Sequence, residues 1–531
     1  MAYFVTKKVK GKKYLYIVWG QRIGKRTKTV KQIYLGSAER VAKLLEQPIP
    51  KFTSYSYGDV AFLLHVAETT DFVKIVNKHL RKISSIGDYL LLIVMNRLIR
   101  PESKKGIKEW HGKTCLPLIW NKDLSFSSQN YWYYLNRLTD KKMAAVWEEL
   151  QNNTAKNLGV GDDTFLYDPT NFFTYVEDHE GNELPQNGHN KQMRHEKNQV
   201  SVRLLIGEES QLPYDFKCYA GNVHDSKEFP NLVSDLKQRA EQYSREKITL
   251  VFDKGNNKKE NLEALSNYYF VGSLRKDLKG VPALLDAELK DCYTTPKKNL
   301  IRSTSQEMDV YGINCKVVVS YNEKLRSKQL HSLDNATVKT QTKFEEIKDH
   351  RFKNERSATV AMIKILPKKH NPFKWETQED GKTFRVQLSL DEEKLAEYRK
   401  NAGKNVIFTN HLDWSDERII KTYRKMYKVE NQFKLLHGAL LIPIKPIYHW
   451  TDQKIKAHIF LCMVALLFAK TLEHMCRGKF HGNFRDILEF AGTVRIALVQ
   501  REGKPEFVFE DMTMKQQALM EAFSLSKFAR I

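Results

Sequence analysis

The sequence predicts an α/β protein built on a mixed β-sheet. Within residues 159–275, alternating strand-like segments (DTFLYDPTNFFTYV, NQVSVRLLIG, LPYDFKCYAG) precede a strand–helix–strand pattern (ITLVFDKG, KKENLEALSN, YYFVGSLR). Antiparallel strands followed by a β–α–β alternation favour a mixed sheet. Residues 276–404 are more highly charged, so we expect an insertion there, before the buried strand VIFTN resumes the core at residues 405–470.

A small basic module is expected before this core, at residues 1–56. The first 38 residues contain ten Lys or Arg and no acid, and KKYLYIVW and KQIYLG alternate around the turn QRIGKR. This pattern predicts a β-hairpin. The absence of acids favours contact with phosphates over the alternative, a solvated charged face. Residues 48–56 are a candidate linker.

The segment from residue 57 to 158 has helical periodicity, as in DYLLLIVMNRLI and KKMAAVWEELQNNTAKNL, which predicts a helical domain. Aromatics and bases interleave in it, as in KEWHGK and YWYYLNRL, so we expect it to bind DNA, with helical packing as the alternative for most of these aromatics. Within the insertion, INCKVVVSY, ATVAMIKIL and KTFRVQLSL are expected to be strands, with a polar helix around residues 340–351. SDERIIKTYRKMYKVENQFKLLHGAL predicts one long amphipathic helix. Residues 471–531 predict a hairpin followed by a helix, a candidate dimerisation region.

Charge and composition narrow the function classes. The 531 residues are 41% hydrophobic, which allows a sizeable core, and the formal net charge is +24. So large a charge opposes folding unless a polyanion is near, and nucleic acid is the simplest such partner. An anionic membrane surface is the alternative. However, the apolar run at residues 459–469 is about half of the ~20 residues that a spanning helix needs, so we expect a core helix and no membrane partner.

The sequence lacks the motifs of secreted proteins, of zinc and disulfide proteins, of ATP-driven enzymes and of two common hydrolase classes. The N-terminal residues are basic and broken by polar residues, unlike a signal peptide. The six cysteines are dispersed without a CxxC pair, so neither a zinc site nor a disulfide framework is expected, and a reducing cytoplasm fits. A phosphate-binding loop, an HExxH pair and a GxSxG elbow are also missing from the sequence.

Two aspartates stand where strands end. Asp168 ends an apolar strand-like run and precedes Pro169, and Asp253 ends a buried strand two residues before Gly255. Carboxylates at strand ends have rigid backbone support and an open side, which suits metal binding. Either residue alone is more simply a loop residue or a helix cap. Two in the same setting, in a strongly basic chain, favour metal ligands.

Glu430 is the third candidate ligand. It is the single acid on a helical face that carries cationic, aromatic and apolar side chains: Tyr423, Met426, Tyr427, Lys434 and His437. The alternative is a salt bridge from Glu430 to Lys434. Both roles are compatible, because a lysine beside a metal carboxylate can also hold phosphate.

Three carboxylates suit a two-metal site. Mg²⁺ prefers oxygen ligands and is usually held by one or two carboxylates together with substrate phosphate and water. Two such ions about 3.5–4 Å apart clamp the attacking and leaving oxygens of an in-line phosphoryl displacement. We therefore expect two Mg²⁺ ions per site, with Mn²⁺ as a substitute.

Six segments in order resemble one family. FLYDPTNFFTY, GHNKQMRH, YAGNVHDSKEF, VFDKGNNKKENLEAL, FVGSLR and the stretch from IFTNHLDW to KAHIFLC are similar to bacterial or archaeal insertion-sequence DDE transposases. The resemblance is to the insertion-sequence family four superfamily, and within it to the sixteen-thirty-four branch. It implies an RNase H-like catalytic core interrupted by a β-rich insertion, with Asp168, Asp253 and Glu430 as the metal-binding triad.

The family's Tyr–Arg–Glu–Lys signature is only half matched. Tyr423 and Glu430 fit it, whereas Met426 replaces the Arg and His437 replaces the Lys. The resemblance therefore leaves the phosphate-binding roles open, with three neighbouring bases as candidate substitutes: Arg424, Lys425 and Lys434. In GHNKQMRH, two further bases are candidate DNA-backbone contacts, with a solvated loop as the alternative: Lys191 and Arg194.

The resulting hypothesis is a cut-and-paste DNA transposase. It would bind terminal inverted repeats, nick DNA by hydrolysis and join the 3′-hydroxyl ends to target DNA. Pairing two ends needs a homodimer in a synaptic complex, and the family implies a prokaryotic cytoplasm, at the nucleoid. The alternatives are an endonuclease without strand transfer and a non-catalytic DNA-binding protein. Five other acids rank below the triad: Asp162, Asp163, Asp225, Asp413 and Asp416.

Overall fold

The computed structural model of the protein describes residues 2–23, 26–46, 52–80, 86–120, 126–176, 181–188, 196–243, 248–265, 267–367, 371–438, 441–501 and 504–529. The N-terminal module is a three-stranded antiparallel sheet followed by a helix: β1 (Ala2–Val9), β2 (Lys12–Ile23), β3 (Arg26–Ser37) and α1 (Ala38–Glu46). The predicted hairpin is confirmed as β2 and β3, and β1 adds a strand to it.

The next region is helical, as predicted. Its elements are β4 (Ser54–Ser56), α2 (Gly58–Thr69), α3 (Phe72–His79), α4 (Ile86–Ile99), α5 (Gly106–Gly112), α6 (Leu116–Ile119), α7 (Ser128–Arg137) and α8 (Asp140–Leu158). The end of the predicted linker is not a linker, because β4 pairs with a strand near the C-terminus.

A mixed sheet follows, again as predicted. Its first part contains β5 (Thr164–Phe173), β6 (Gln199–Gly207), β7 (Pro213–Ala220), α9 (Asp225–Tyr243), β8 (Thr249–Phe252), α10 (Lys259–Ala264) and β9 (Tyr269–Ser273). The strands β5, β6 and β7 are antiparallel neighbours, whereas β8 pairs in parallel with both β5 and β9. The strand order in this part is therefore β7–β6–β5–β8–β9.

The expected insertion extends this sheet. It contains α11 (Val281–Asp286), β10 (Lys290–Thr294), β11 (Leu300–Val310), β12 (Ile313–Asn322), α12 (Glu323–Glu345), α13 (Glu355–Ile365), β13 (Phe373–Asp380), β14 (Thr383–Leu390) and α14 (Glu392–Asn401). The strand β15 (Lys404–Thr409), predicted from VIFTN, joins β12 to β9, so nine strands form one sheet among the described residues.

Two expectations for the insertion are wrong. ATVAMIKIL is not a strand but most of α13, because Asn354 and Ser357 form a capping box that starts a helix and Ala358 and Met362 bury one helical face. The polar helix expected around residues 340–351 begins and ends earlier, because Asn322 caps α12 at its start and the helix ends at Glu345. A β-rich insertion is thus wrong for the part between β12 and β13, which is helical.

The C-terminal elements are α15 (Asp416–Arg424), α16 (Tyr427–His437), α17 (Asp452–Met475), α18 (Phe484–Gly492), β16 (Arg495–Arg501), β17 (Lys504–Phe509) and α19 (Met514–Ala522). The single long helix predicted before α17 is wrong. The amides of Lys425 and Met426 bond to carbonyls three residues back, which tightens the chain between α15 and α16. Each helix then packs on different strands: α15 on β9, β12 and β15, and α16 on β5 and β6.

The helix α17 lies at the centre of the main core. It packs against α2, α4, α7 and α8 and against β7, so the helical region and one face of the sheet share one apolar cluster. By length and composition alone α17 could cross a membrane, but 94% of its apolar window is buried inside the structure. The predicted core helix is confirmed.

A buried ion cluster supports the other face of the sheet. Arg203 on β6 is 1% exposed and donates to Glu228 at 2.9 Å and to Asp215 at 3.1 Å, and it also bonds to Asp235. It therefore fastens α9 to β6 and β7. In the register of β5 and β6, Arg203 lies beside Pro169, next to Asp168. The prediction that a strand ends at Asp168 is wrong, because β5 continues through Pro169 to Phe173 in unbroken pairing with β6.

Replacing Arg203 by Met should destabilise the protein severely. The change leaves Asp215 and Glu228 buried without their cation, and such losses cost about 3–5 kcal/mol. Urea unfolding followed by tryptophan fluorescence should show a lower midpoint. Asp235→Asn is the matched control, because Asp235 is 39% exposed and its loss should shift the midpoint far less. Equal midpoints for Arg203→Met and the wild type would contradict the role of this cluster.

Candidate active site

Asp168 and Asp253 come from neighbouring parallel strands. In the register of β5 and β8, Phe165 lies beside Leu250 and Leu166 beside Val251. Continuing that register by two residues brings Asp168 level with Asp253. Neighbouring strands are about 4.8 Å apart, so the two carboxylates leave adjacent backbones at one edge of the sheet.

Both carboxylates leave the same face of the sheet. Side chains alternate along a strand, so Asp168 shares its face with Leu166, and Asp253 shares its face with Val251. Leu166 and Val251 both belong to the core cluster that contains α16 and α17. The two aspartates therefore project toward the side that α15 and α16 cover.

Three hydrogen bonds fix the carboxylate of Asp253. Its Oδ1 accepts from the amide of Lys254 at 2.7 Å, from Ser273 Oγ at 2.8 Å and from the Tyr423 hydroxyl at 3.1 Å. All three bonds go to Oδ1, and the side chain of Asp253 is exposed, which leaves it open to a further ligand. Oδ1 of Asp253 is therefore fixed by hydrogen bonds, and Oδ2 can bind a cation.

Tyr423 donates a hydrogen bond to Asp253 through its protonated hydroxyl. Burial raises the pKa of its hydroxyl above the ordinary value, and the neighbouring charges of Asp253 and Glu430 raise that pKa further. The phenol therefore stays protonated at neutral pH and donates to Asp253. An ionised tyrosine that attacks DNA is not what this environment favours.

Glu430 lies on the first turn of α16, which packs on β5, the strand of Asp168. At the start of the helix, Lys428 Nζ donates to the Glu208 carbonyl at 2.6 Å, just after β6. At its end, His437 stacks on Phe172 at 4.3 Å, on the strand that carries Asp168. The helix thus runs along β5, and the charge of Glu430 reaches Tyr423.

The expected salt bridge between Glu430 and Lys434 is not formed. Lys434 Nζ donates instead to Asn431 Oδ1 at 2.9 Å. Glu430 is exposed, as is Lys434, so the Glu430 carboxylate can turn toward the aspartates. The presence of Glu430 on this helical face is therefore not explained by an ion pair with Lys434.

Of the three predicted metal ligands, the two aspartates are placed to bind a divalent cation together, whereas Glu430 is not yet beside them. Among the described residues, no group of three or more His, Cys, Asp or Glu side chains is close enough to hold a metal ion. The aspartate pair supplies the one or two carboxylates that Mg²⁺ usually requires from a protein. Glu430 would complete the set only after a side-chain rotation, for which its exposure leaves room.

The basic residues predicted to hold phosphate are spread around this edge. Arg424 donates to the Tyr293 hydroxyl at 2.9 Å, on a strand of the insertion. Lys425 pairs with Glu208 at the opposite end of the sheet. Met426 is 9% exposed and fills the core. The expected contacts at Lys191 and Arg194 lie outside the described residues.

His437 contacts the strand of Asp168 from the end of α16. Its Nε2 lies 3.4 Å from the hydroxyl of Thr170, two residues beyond Asp168 on the same face of β5. Together with the stacking on Phe172, this contact holds the helix against the strand. His437 has a positioning role in this arrangement, beside any role toward DNA.

A basic cavity beside Asp253 was missed by the sequence reasoning. It has a volume of about 720 Å³ and lies between the core and two helices of the insertion, α12 and α14. Lys254, Arg275 and Lys276 line it together with Tyr423. The signal was present, because FVGSLRK places two bases directly after the buried strand β9.

Lys276 bridges the core and the insertion across this cavity. Its ammonium donates to the carbonyl of Asn401 at 2.8 Å. Burial, followed by the charges of Lys404 and Lys254, lowers the pKa of Lys276 to about 8. An anion entering the cavity would restore the full charge of this lysine.

The competing acids have structural partners. Asp162 Oδ1 accepts from the amides of Glu209 and Ser210, and Asp225 accepts from the Tyr219 hydroxyl. Asp416 accepts from the Ser303 hydroxyl at 2.9 Å, and Ser415 caps α15.

Comparisons with known proteins show the family of the chain. No curated protein sequence matches the chain. One similar solved structure is a piggyBac transposase synaptic complex with hairpin DNA, with a TM-score of 0.38, 8% identity and coverage of 83% of this chain and 82% of that one. The family described as "Transposase DDE domain" matches residues 161–468. That match spans more than half of the chain and includes both aspartates and Glu430, and the chain therefore belongs to the DDE transposase family.

Proposed function

We propose that this protein is a DNA transposase that binds the terminal inverted repeats of its element, cleaves DNA in a metal-dependent reaction and transfers the strand ends to target DNA. One observation carries the proposal. The register of β5 and β8 brings Asp168 and Asp253 side by side on one face, and Glu430 lies on α16, the helix that packs on β5. The aspartate pair supplies the carboxylates that Mg²⁺ usually takes from a protein, which supports metal-dependent phosphoryl transfer.

The proposal includes an RNase H-like catalytic core. The strand order β7–β6–β5–β8–β9, with three antiparallel strands followed by two parallel ones, supports it. We also propose five regions: a basic module at 1–56, a helical DNA-binding domain at 57–158, the core at 159–275 and 405–470, the insertion at 276–404 and a dimerisation region at 471–531. The sequence motifs further favour the sixteen-thirty-four branch of insertion-sequence family four.

DDE transposases use divalent metal ions, and we propose two Mg²⁺ ions here, with Mn²⁺ as a substitute. Asp168 and Asp253 would hold one ion jointly, and Glu430 would help to hold the other. When bound, two such ions supply activation of the attacking hydroxyl and stabilisation of the departing oxygen. Tyr423 orients Asp253 by holding Oδ1, so that Oδ2 is presented to the metal.

The bases of the cavity would position the DNA backbone. Lys254, Arg275 and Lys276 lie on the rim and wall beside Asp253, where a phosphodiester next to the scissile one would pass. Arg275 can bind a phosphate through two N–H groups, and the lysines act as point charges. The net charge of +24 supplies long-range attraction to DNA.

The assembly and location remain part of the proposal. Two transposon ends must be held together during transposition, so the active species is a homodimer on double-stranded DNA. We place this reaction in the prokaryotic cytoplasm, at the nucleoid. A metal-dependent endonuclease without strand transfer is the second candidate, because the same carboxylates would serve hydrolysis alone.

Asp253→Asn should abolish cleavage and keep DNA binding. Residues that merely support metal ligands cost about 10–100-fold when changed, so losing a direct ligand should cost more than about 100-fold. The assay is cleavage of DNA with candidate inverted repeats, with Mg²⁺ and with Mn²⁺. Asp413→Asn, at an exposed acid outside the site, is the matched control and should retain activity. Wild-type cleavage by Asp253→Asn would contradict the proposal.

Tyr423→Phe should weaken the response to metal. Without the hydroxyl, Asp253 loses one of the three donors that orient it, and the Mg²⁺ concentration for half-maximal cleavage should rise about 10–100-fold. DNA affinity measured without metal should not change. Tyr427→Phe is the control, because Tyr427 is 55% exposed on the neighbouring helix. An unchanged Mg²⁺ response in Tyr423→Phe would rule out this positioning role.

A further inference from the structure

A cluster of aromatic rings and lysines lies beyond the end of β5. We call it the aromatic platform: Phe173, Tyr175, Tyr448, Lys197 and Lys445. The ring centroids of Phe173 and Tyr175 are 6.0 Å apart, and those of Tyr175 and Tyr448 are 5.3 Å apart. The three rings therefore form one continuous surface drawn from two distant parts of the chain.

Both lysines of the platform lie over its rings. Lys197 Nζ is 3.9 Å from the ring centroid of Tyr175, and Lys445 Nζ is 4.3 Å from that of Phe173. Such contacts stabilise the rings and hold the positive charges beside them. The platform therefore offers aromatic surface and cationic groups within a few ångströms of each other.

The platform is exposed although its residues are large and partly apolar. Tyr175 is 47% exposed and Tyr448 is 62% exposed. Single exposed aromatics are ordinary, but a contiguous exposed patch indicates a binding surface. These two side chains do not contribute to the apolar core, since neither belongs to an apolar cluster of the described structure.

The backbone beneath the rings is well fixed. Thr174 bonds through its amide to the Asn198 carbonyl at 2.8 Å and forms a β-bridge with Ile447. The amide of Tyr175 donates to the Ile447 carbonyl at 3.3 Å. Tyr175 and Tyr448 are thus held next to each other by the main chain, which lowers the entropy that a ligand must remove on binding.

The platform is aligned with the active site. Phe173 is the last residue of β5, five residues after Asp168. At about 3.4 Å per residue the two positions are about 17 Å apart. A stacked DNA strand covers that distance with about five nucleotides. Phe173 and Tyr175 leave the face of β5 opposite to Asp168, because side chains alternate along a strand. A strand whose phosphate lies at Asp168 would therefore reach the platform by passing over the end of β5 with its next few bases.

From this geometry we propose that the aromatic platform binds the bases of an unpaired DNA strand that extends from the scissile phosphate. Aromatic side chains stack on bases whatever their sequence, and neighbouring cations follow the backbone. In a duplex the bases stack on each other and present only their edges in the grooves, so exposed ring faces suit an unpaired strand better. This inference rests on the proposed DNA transposase function, because it takes Asp168 as the position of the scissile phosphate.

The test measures DNA affinity in EDTA, so that its result does not depend on cleavage. The two probes are a blunt duplex and the same duplex with an eight-nucleotide single-stranded extension. Wild-type protein should bind the extended duplex more tightly than the blunt one. Tyr448→Leu should weaken binding of the extended duplex about tenfold, within the range known for loss of one stacked base, and should leave the blunt duplex unchanged.

A matched variant and a matched probe identify the interaction. Ile363→Ala removes another exposed apolar side chain, which is 61% exposed on α13, outside the platform and the cavity, and should change neither affinity. Replacing the bases of the extension by abasic sugars should weaken wild-type binding about as much as Tyr448→Leu does, with no further loss when both changes are combined.

Three results would overturn the proposal. The first is equal affinity of Tyr448→Leu and the wild type for the extended duplex. The second is an equal loss on both duplexes, which would indicate a duplex contact. The third is an unchanged affinity of the wild type when the bases of the extension are replaced by abasic sugars, which would indicate contact with phosphates alone. Failure of the transposase function would instead appear as absent cleavage with Mg²⁺ in a protein that passes this binding test.

Discussion

The parallel pairing of β5 with β8 is the constraint on which the candidate site depends. It sets two aspartates from distant parts of the chain level with each other, on adjacent strands and on the same face of the sheet. A shift of this register by one residue would turn one carboxylate to the opposite face. The pairing is well specified, because both strands are buried on both faces and Phe165, Leu166, Leu250 and Val251 fill two separate apolar clusters.

The third carboxylate depends on how α16 is attached to that sheet. His437 against Phe172 at one end and Lys428 at the other hold the helix along β5. Tyr423, on the preceding helix, adds the link to Asp253. The turn between α15 and α16 lets each helix follow its own strands. The exposed Glu430 keeps its freedom to rotate, which is consistent with a metal site that closes only around metal and DNA.

Much of this could be predicted from local patterns. Each aspartate follows an apolar run that can be recognised within a few residues. Asp253 does follow the end of β8, whereas Asp168 lies inside β5, because the chain after Pro169 continues to pair with β6. ATVAMIKIL fits a strand and a helix almost equally well, and only the capping box at Asn354 decided for a helix. The break before α16 was not predictable, since it arises from packing on strands far away in the sequence. The same holds for the partners of Arg424 and Lys425, which come from Tyr293 and Glu208.

The most direct test of the central claim is the position of a bound metal ion. A crystal of the protein with transposon-end DNA and Mn²⁺, under conditions that prevent cleavage, would reveal the ion by anomalous scattering. The account predicts a peak bound by carboxylate oxygens of both Asp168 and Asp253, at about 2.0–2.2 Å as expected for a small divalent ion. An ion bound by only one of these aspartates, or an ion bound elsewhere while neither aspartate binds one, would contradict it.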